Sequence, residues 1–328
     1  MTRSILFLLL AYSVFFINKH FENNSHITEL SNTINNGKSI TFILGKDDPK
    51  LKNSFYRAAT EYFTYDKFAK TDEVLTQFRT LTELAEYLSN NEFKHVFNTV
   101  NIVSHGNPWQ GMSAKIYKGG PRANFKNLNY AFDSGLITEI CSNAIGQNTI
   151  INIISCGIGK DENLVHAFQK LFYCDDDNDH ATVNISKDYV FFDSGNKKRN
   201  ADFYFVVSKY KFHDKKKIEA KIRSKYPDKI INWTEALNRC EFSNNEPYSH
   251  SFRILVDWKY LNQTKNIPNN LNSEKNIKNW IKTQKEAVDQ LKIMKLNIDD
   301  LQWFAFYDKD ELRIKAYANI EGVIVVKT

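Results

Sequence analysis

Two short apolar runs, each ending in a reactive side chain followed by glycine, constrain this chain more than any other feature. The run at 100–103 leads into Ser104-His105-Gly106, and the run at 150–154 leads into Ser155-Cys156-Gly157. Uncharged, β-branched runs of this length are typical of buried strands in a parallel sheet. If both strands belong to one parallel sheet, His105 and Cys156 leave it at the same carboxyl edge, where open α/β sheets bind ligands.

Composition bounds the class of protein. The 328 residues are 42% apolar and 14% aromatic, which is enough for a sizeable core and argues against global disorder. The net charge of +6 comes from 44 basic and 38 acidic residues, a bias too small to indicate nucleic-acid binding. Four cysteines without a C-x-x-C pair argue against a disulfide scaffold and against a structural zinc site, and no metal or cofactor is expected.

The N-terminus predicts export. A basic start is followed by an apolar run at 4–17, which matches a secretory signal peptide and is shorter than the roughly 20 apolar residues of a membrane span. The segment 1–20 is therefore interpreted as a signal peptide or membrane anchor, followed by an Asn-rich linker at 21–37. The protein would then be periplasmic, secreted or membrane-anchored. The alternative is a cytoplasmic protein in which this run is the first helix or strand of the fold.

The next segment alternates strands with helices. The expected elements are a strand at 39–44, a helix opened by Asp47-Asp48-Pro49, a strand at 73–78, a helix opened by the capping box Thr80-x-x-Glu83, and the strand before His105. Residues 122–135 are expected to be irregular and 136–144 helical, and a fifth strand is expected at 181–186, with 189–192 as its extension. This alternation predicts an α/β domain over 38–198, with a mostly parallel sheet flanked by helices.

Residues 199–328 predict an accessory α+β region of unknown role. The expected elements are a strand at 202–210, a basic helix at 215–226, one long helix at 276–296, and strands at 301–307, 311–318 and 323–327 with turns between them. Basic and aromatic residues alternate at 209–217. Acidic residues interrupt this segment, which favours a solvated helix face over a nucleic-acid or membrane surface.

His105 and Cys156 predict acyl transfer. The thiolate is the reactive form of cysteine, and a following helix start and a protonated His105 are both expected to favour it. Backbone N–H groups beside Gly106 and Gly157 are candidate oxyanion donors, and both glycines let a substrate approach closely. The alternative is that Cys156 is a small buried hydrophobe and His105 a structural histidine.

The ordered pair of strand-end motifs, Ser104-His105-Gly106 and Ser155-Cys156-Gly157 51 residues later, resembles the caspase-like clan of cysteine peptidases. That clan includes caspases, legumains, clostripain, gingipains and CHAT-domain proteases. The resemblance covers about residues 38–195. It implies a caspase-hemoglobinase fold, a three-layer sandwich, with a His105/Cys156 dyad. Ser155 departs from the alanine of several members, and no signature of the specificity pocket is present.

Substrate preference rests on weaker signals. Asp188 and Asp193 lie where the resemblance places the pocket-forming segment, and a carboxylate there would favour a basic substrate side chain. The alternative is that both are solvated loop carboxylates. The acidic run at 175–179 has oxygen ligands suited to Ca²⁺ but lacks the spacing of an EF-hand, so a solvated loop is favoured.

The sequence therefore predicts a cysteine endopeptidase, a hydrolase that acts on peptide or protein substrates. A catalytically inactive binding or scaffold protein is the main alternative, and a thiol hydrolase or transferase for other acyl groups is a third. In an oxidising compartment Cys156 must stay reduced, so one bridge among Cys141, Cys174 and Cys240 would leave an odd thiol.

Overall fold

The computed structural model describes residues 37–48, 54–90, 96–173, 180–193, 197–239, 248–261, 270–308 and 311–327. The predicted signal peptide and most of the linker, the acidic run at 175–179, Cys174 and Cys240 lie outside the described residues. None of the helices in these ranges combines the length and apolar character needed to cross a bilayer.

The strands in the described residues are β1 (Lys38–Ile43), β2 (Glu73–Leu75), β3 (Phe97–Val103), β4 (Gly106–Asn107), β5 (Gly111–Lys115), β6 (Arg122–Ala123), β7 (Ile150–Ile154), β8 (Thr182–Ile185), β9 (Tyr189–Phe192), β10 (Lys198–Ser208), β11 (Tyr248–Leu261), β12 (Gln302–Asp308) and β13 (Glu311–Val326). The helices are α1 (Phe55–Tyr65), α2 (Leu81–Leu88), α3 (Phe125–Asp133), α4 (Glu162–Leu171), α5 (Lys215–Lys225), α6 (Trp233–Asn238), α7 (Glu274–Ile281) and α8 (Lys285–Ile293).

A five-stranded parallel sheet organises the N-terminal half, in the order β2-β1-β3-β7-β8. Helices cover both of its faces. On one face, β1, β3 and β7 pack with α2, α3 and α4 in the largest core cluster, and on the other Ile43, Val103 and Ile154 pack with α1. The predicted α/β architecture with a parallel sheet flanked by helices is confirmed.

The C-terminal half forms a second, antiparallel sheet in the order β11-β13-β10-β9, with β12 also pairing with β13. β9 belongs to this sheet and is not an extension of β8, because it pairs with β10 in a hairpin. The boundary expected at 198/199 therefore falls at the first residue of β10, inside the second sheet.

Two predictions are wrong for the segment between β6 and β7, the irregular structure expected at 122–135 and the helix expected at 136–144. Residues 125–133 form α3, whose start is capped by the Asn124 side chain accepting the Asn127 N–H at 2.9 Å. Residues 136–144 are not helical. The Ile140 N–H instead donates to the Leu171 carbonyl oxygen at 2.8 Å, and Cys141 is disulfide-bonded, so this backbone is tied to distant residues.

Two further predictions fail in the C-terminal half. The long helix at 276–296 is two helices, α7 and α8, and at the break the Thr283 hydroxyl donates to the Trp280 carbonyl oxygen at 2.6 Å, in competition with the helical backbone bond. The turn expected at Glu321-Gly322 is absent, because β13 runs through it. Gly322 pairs with β10 on one side and β11 on the other.

Candidate active site at the carboxyl edge of the sheet

The pairing of β3 with β7 brings His105 and Cys156 to one edge of the sheet. The strands are parallel neighbours with Val103 opposite Ile154, and the Ser104 N–H donates to the Ile154 carbonyl oxygen at 3.2 Å. Each residue of β3 pairs with the residue 51 positions later in β7, and His105 and Cys156 are also 51 positions apart. Both residues therefore lie two positions beyond the last paired rung of adjacent strands.

The start of α1 holds the His105 ring. Phe55 stacks on the imidazole with ring centroids 4.3 Å apart, and Tyr56 meets it edge-on at 4.7 Å. The Tyr56 hydroxyl accepts the His105 backbone N–H at 3.1 Å, and the His105 carbonyl oxygen accepts the Ser113 N–H at 2.7 Å. Contacts on the ring and on both backbone groups fix the orientation of His105.

Burial sets the protonation state of His105. It lowers the pKa of His105 to about 4, with the negative charge of Asp47 opposing the shift and the positive charge of Arg122 adding to it. Asp47 itself accepts the backbone N–H groups of Tyr56 and Arg57 at the start of α1, each at 2.9 Å. At neutral pH the imidazole is therefore uncharged, whereas the sequence predicted a protonated ring.

Arg122 borders the loop that follows His105. Its guanidinium donates to the Gln110 side chain at 3.0 Å and to the carbonyl oxygens of Gly111 and Met112 at 3.4 Å. These three bonds fasten β6 to the start of β5 and to Gln110 in the loop between β4 and β5. The segment that follows His105 is thereby held by Arg122.

Cys156 is a free cysteine, and its thiol is hydrogen-bonded to β9. The thiol donates to the Val190 carbonyl oxygen at 3.2 Å, and the Val190 N–H lies 3.4 Å from the sulfur. Burial raises the pKa of Cys156 to about 11, although hydrogen bonds from backbone groups oppose the shift. The predicted thiolate is wrong for this resting state. The helix that follows begins only at Glu162, after a short 3₁₀ turn at Ile158–Lys160.

The two glycines have different roles. Gly106 is required by close packing, because a Cβ atom there would clash with the Ser155 hydroxyl. Gly157 has a φ of +68°, which favours glycine, and its N–H donates to the Asp188 carbonyl oxygen at 2.9 Å. Gly157 was predicted as an oxyanion donor, and its engaged N–H argues against that role.

The two candidate substrate-binding carboxylates are engaged within the protein. Asp193 is 3% exposed, and its side chain accepts the Arg199 guanidinium and the Lys197 backbone N–H, both at 3.1 Å. Asp188 pairs with Lys327 at 2.7 Å. Asp193 therefore stabilises the hairpin between β9 and β10, and neither carboxylate is positioned as an open site for a substrate cation.

Two charged segments were favoured as solvated surface, the acidic run at 175–179, which lies outside the described residues, and the basic segment at 209–217. No group of three or more His, Cys, Asp or Glu side chains there is arranged to hold a metal ion. In the basic segment, Lys209 pairs with Glu274 at 2.6 Å, and the helix that follows, α5, carries the pair Arg223–Glu219 at 2.9 Å. This surface is a solvated helix face with internal ion pairs.

The second sheet reaches the site through Trp109. The indole N–H donates to the Met294 carbonyl oxygen at 3.2 Å, and the ring packs edge-on against Phe203 and Phe205. Trp109 is 7% exposed, and Cys156 packs against the same cluster. The C-terminal half therefore supports the loop that follows His105 and the environment of the thiol.

Sequence reasoning missed the residues that surround the pair. Phe55, Tyr56, Arg122 and Val190 were not predicted as site residues. One local signal was present for Phe55 and Tyr56. The helix after the first strand of a parallel sheet starts at the carboxyl edge, so an aromatic pair there faces any site at that edge.

Comparison of the chain with protein-family models, with curated proteins and with solved structures found no match.

Proposed function

We propose that the protein is a cysteine hydrolase with a caspase-like fold, and that its substrates are peptides or proteins. The observation that carries the proposal is the in-register placement of His105 and Cys156 beyond adjacent parallel strands. When the five strands of the first sheet alone are numbered in chain order, their order across the sheet is 2-1-3-4-5. His105 follows the third of these strands (β3), and Cys156 follows the fourth (β7). The resemblance likewise implies a histidine after one apolar strand and a cysteine after a later one.

The protonation states define the first step of the reaction. At neutral pH the imidazole is neutral and the thiol protonated, so His105 accepts the proton of Cys156 as the sulfur attacks the substrate carbonyl carbon. The resulting imidazolium protonates the leaving amine, and the C–N bond breaks. Water, deprotonated by His105, then attacks the thioester and releases the acid and the free thiol.

The oxyanion site belongs to the proposal. The backbone N–H groups of Gly106 and Cys156 are the remaining candidates, since the Gly157 N–H is bonded to Asp188. Donors of this kind stabilise the tetrahedral intermediate most where water is excluded. Partial burial of the site favours such an environment.

Export to an oxidising compartment is part of this proposal. The disulfide at Cys141 supports it, because such bonds persist in secreted, periplasmic and cell-surface proteins. The predicted signal peptide at 1–20 gives the same expectation. An alternative to secretion is attachment to a membrane through that segment. An alternative to peptide substrates is the hydrolysis of other acyl groups by the same cysteine chemistry.

A catalytically inactive binding or scaffold protein is the second candidate. It is favoured by the bonds between the Cys156 thiol and Val190, which make the cysteine an additional link between the two sheets. A buried thiol in that position contributes to packing without any chemistry.

Labelling kinetics distinguish the two candidates. The full chain would be treated with a library of peptidyl chloromethyl ketones and, separately, with iodoacetamide, and modification of the Cys156 peptide followed by mass spectrometry. A hydrolase is expected to react with some peptidyl reagents far faster than with iodoacetamide. In the His105→Ala variant, the rate of labelling by those peptidyl reagents should be about 10²–10⁴-fold lower.

His166→Ala is the matched control, because this histidine lies on α4 and bonds only to the neighbouring Gln169 among the contacts the structure gives. It should leave the labelling rate unchanged. Equal rates for peptidyl and simple reagents, with no effect of His105→Ala, would reject the hydrolase and support the binding protein.

A further inference from the structure

A row of polar side chains crosses the first sheet on the face that carries α1. Thr41, Asn101, Asn152 and Asn184 lie opposite one another on β1, β3, β7 and β8. Parallel sheets are normally covered by apolar packing on both faces, so polar residues on four adjacent strands are unusual. Their burial is graded from Thr41, fully buried, to Asn184, which is exposed.

The side chains of this row are joined by hydrogen bonds that run in one direction. Asn184 donates to Asn152 at 3.2 Å, Asn152 to Asn101 at 3.0 Å, and Asn101 to the Thr41 hydroxyl at 3.1 Å. A carboxamide has two N–H bonds, and each asparagine uses one of them in the row. The row therefore keeps a surplus of donors on its three amides.

The three asparagines of the row form the floor of a cavity of about 270 Å³. Tyr62 and Phe63 of α1 and Ile154 of β7 give it apolar walls, and Ser186 and Lys198 also line it. The cavity lies where α1, the face of the first sheet and the hairpin of the second sheet meet. Its size is at the lower end of the range for small-molecule sites, and such junctions are common places for them.

Lys198 is the only charged residue in this lining, and it has no acidic partner among the described residues. The neighbouring Arg199, by contrast, pairs with Asp193. Lys198 is an exposed residue, and the burial of part of its side chain lowers the pKa of its ammonium. An anionic group bound in the cavity would pair with this ammonium.

We propose that this cavity binds a small carboxylic acid with an apolar body. The Lys198 ammonium and the second amide N–H groups of the row donate to the carboxylate, and the apolar body contacts Tyr62, Phe63 and Ile154. Asn101 and Asn152 lie four residues before His105 and Cys156, so the cavity is about 13 Å along the strands from the dyad. It is a second site, and it does not depend on the proposed hydrolase.

Benzoate provides a direct test, with benzamide as the uncharged analogue of the same shape. Both would be titrated against the full chain and followed by saturation-transfer NMR. Benzoate is expected to bind saturably and benzamide at least tenfold more weakly. Lys198→Gln removes the charge and should weaken benzoate binding at least tenfold, whereas Lys197→Gln, on the adjacent lysine, which is also exposed but does not line the cavity, should leave it unchanged.

Asn184→Ala removes the exposed end of the row and should weaken binding without affecting folding, which a thermal unfolding curve checks. Failure of benzoate to saturate at millimolar concentration would overturn the proposal. The proposal would also be overturned if the wild type and Lys198→Gln bound benzoate equally well, or if Lys197→Gln and Lys198→Gln lost the same amount of benzoate affinity. Binding by the Cys156→Ala variant should match the wild type, which separates this site from the dyad.

Discussion

At the scale of single residues, burial determines the chemistry of the candidate site. A helix N-terminus favours an adjacent anion by about 0.3–1 kcal/mol. The rise of the Cys156 pKa from 9.0 to about 11 disfavours the thiolate by about 3 kcal/mol. Desolvation therefore outweighs the dipole, so Cys156 rests as a thiol and His105 is uncharged.

The lowered pKa of His105 predicts how stability depends on pH. In the unfolded chain the imidazole titrates near 6.5, and in the folded protein near 4. Between these two pH values the unfolded state binds a proton that the folded state does not. The contribution of His105 to the free energy of unfolding is therefore fully present above about pH 6.5 and is lost as the pH falls towards 4. The expected loss is about 3 kcal/mol of unfolding free energy.

Urea unfolding at pH 7 and pH 4.5 measures this effect in the wild type and in His105→Gln. The variant should lose less stability on acidification, because glutamine does not titrate. His166→Gln serves as the comparison and should follow the wild type. A wild type and a His105→Gln variant with identical pH dependence would contradict the assigned burial of the imidazole.

At the scale of elements, a capping box predicted one helix correctly, and an apolar pattern without a cap predicted another that is absent. The Thr80–Glu83 capping box is present as predicted, with both reciprocal bonds formed, and it begins α2. Residues 136–144 have an apolar pattern but no such signal, and Gly135, with a φ of +65°, precedes them. Long-range hydrogen bonds and the disulfide at Cys141 decide their conformation.

The loop between β4 and β5 depends on its contact with the second sheet. Trp109→Phe keeps an aromatic ring but removes the hydrogen bond to Met294, which should lower the unfolding free energy by about 1 kcal/mol. It should also slow peptidyl labelling of Cys156 about tenfold, since small displacements of catalytic groups are costly. Labelling kinetics and urea unfolding measure the two effects.

Trp303→Phe is the matched control. Trp303 also donates its indole N–H to a backbone carbonyl, that of Ile298, at 2.8 Å, but it lies on β12 and is not part of the loop. It should lower stability by a similar amount and leave labelling unchanged. If both variants slow labelling equally, the effect comes from global stability and not from the loop.

At the scale of the whole molecule, the two sheets share their cores. Val190 and Phe192 of β9 pack with α1 and the ends of β1, β3 and β7, and Trp109 packs with β10. The division at 198/199 would separate β9 from its partner β10 and expose these aromatic faces. The C-terminal half is therefore part of the structure that supports the site.

A fragment comprising residues 37–198 is consequently expected not to fold on its own. It should show no cooperative urea transition and should bind the dye ANS, because apolar surface that the second sheet covers becomes exposed. The full chain, with a single cooperative transition and little dye binding, is the reference. Cooperative unfolding of the fragment without dye binding would show that residues 37–198 are an independent domain.

The sequence by itself determined the elements whose signals are local. Apolar β-branched runs predicted β1, β3 and β7, the strand–helix alternation predicted a parallel sheet, and parallel pairing placed His105 and Cys156 at one edge. These features follow from periodicity, and periodicity needs no knowledge of distant residues. The tertiary structure decided what depends on contacts between distant residues. Burial made the thiol and the imidazole neutral, β9 and β10 joined the second sheet, Asp193 acquired an internal partner, and three asparagines formed one row. Desolvation and pairing depend on which distant residues the whole fold brings into contact, and a local sequence pattern does not predict those contacts.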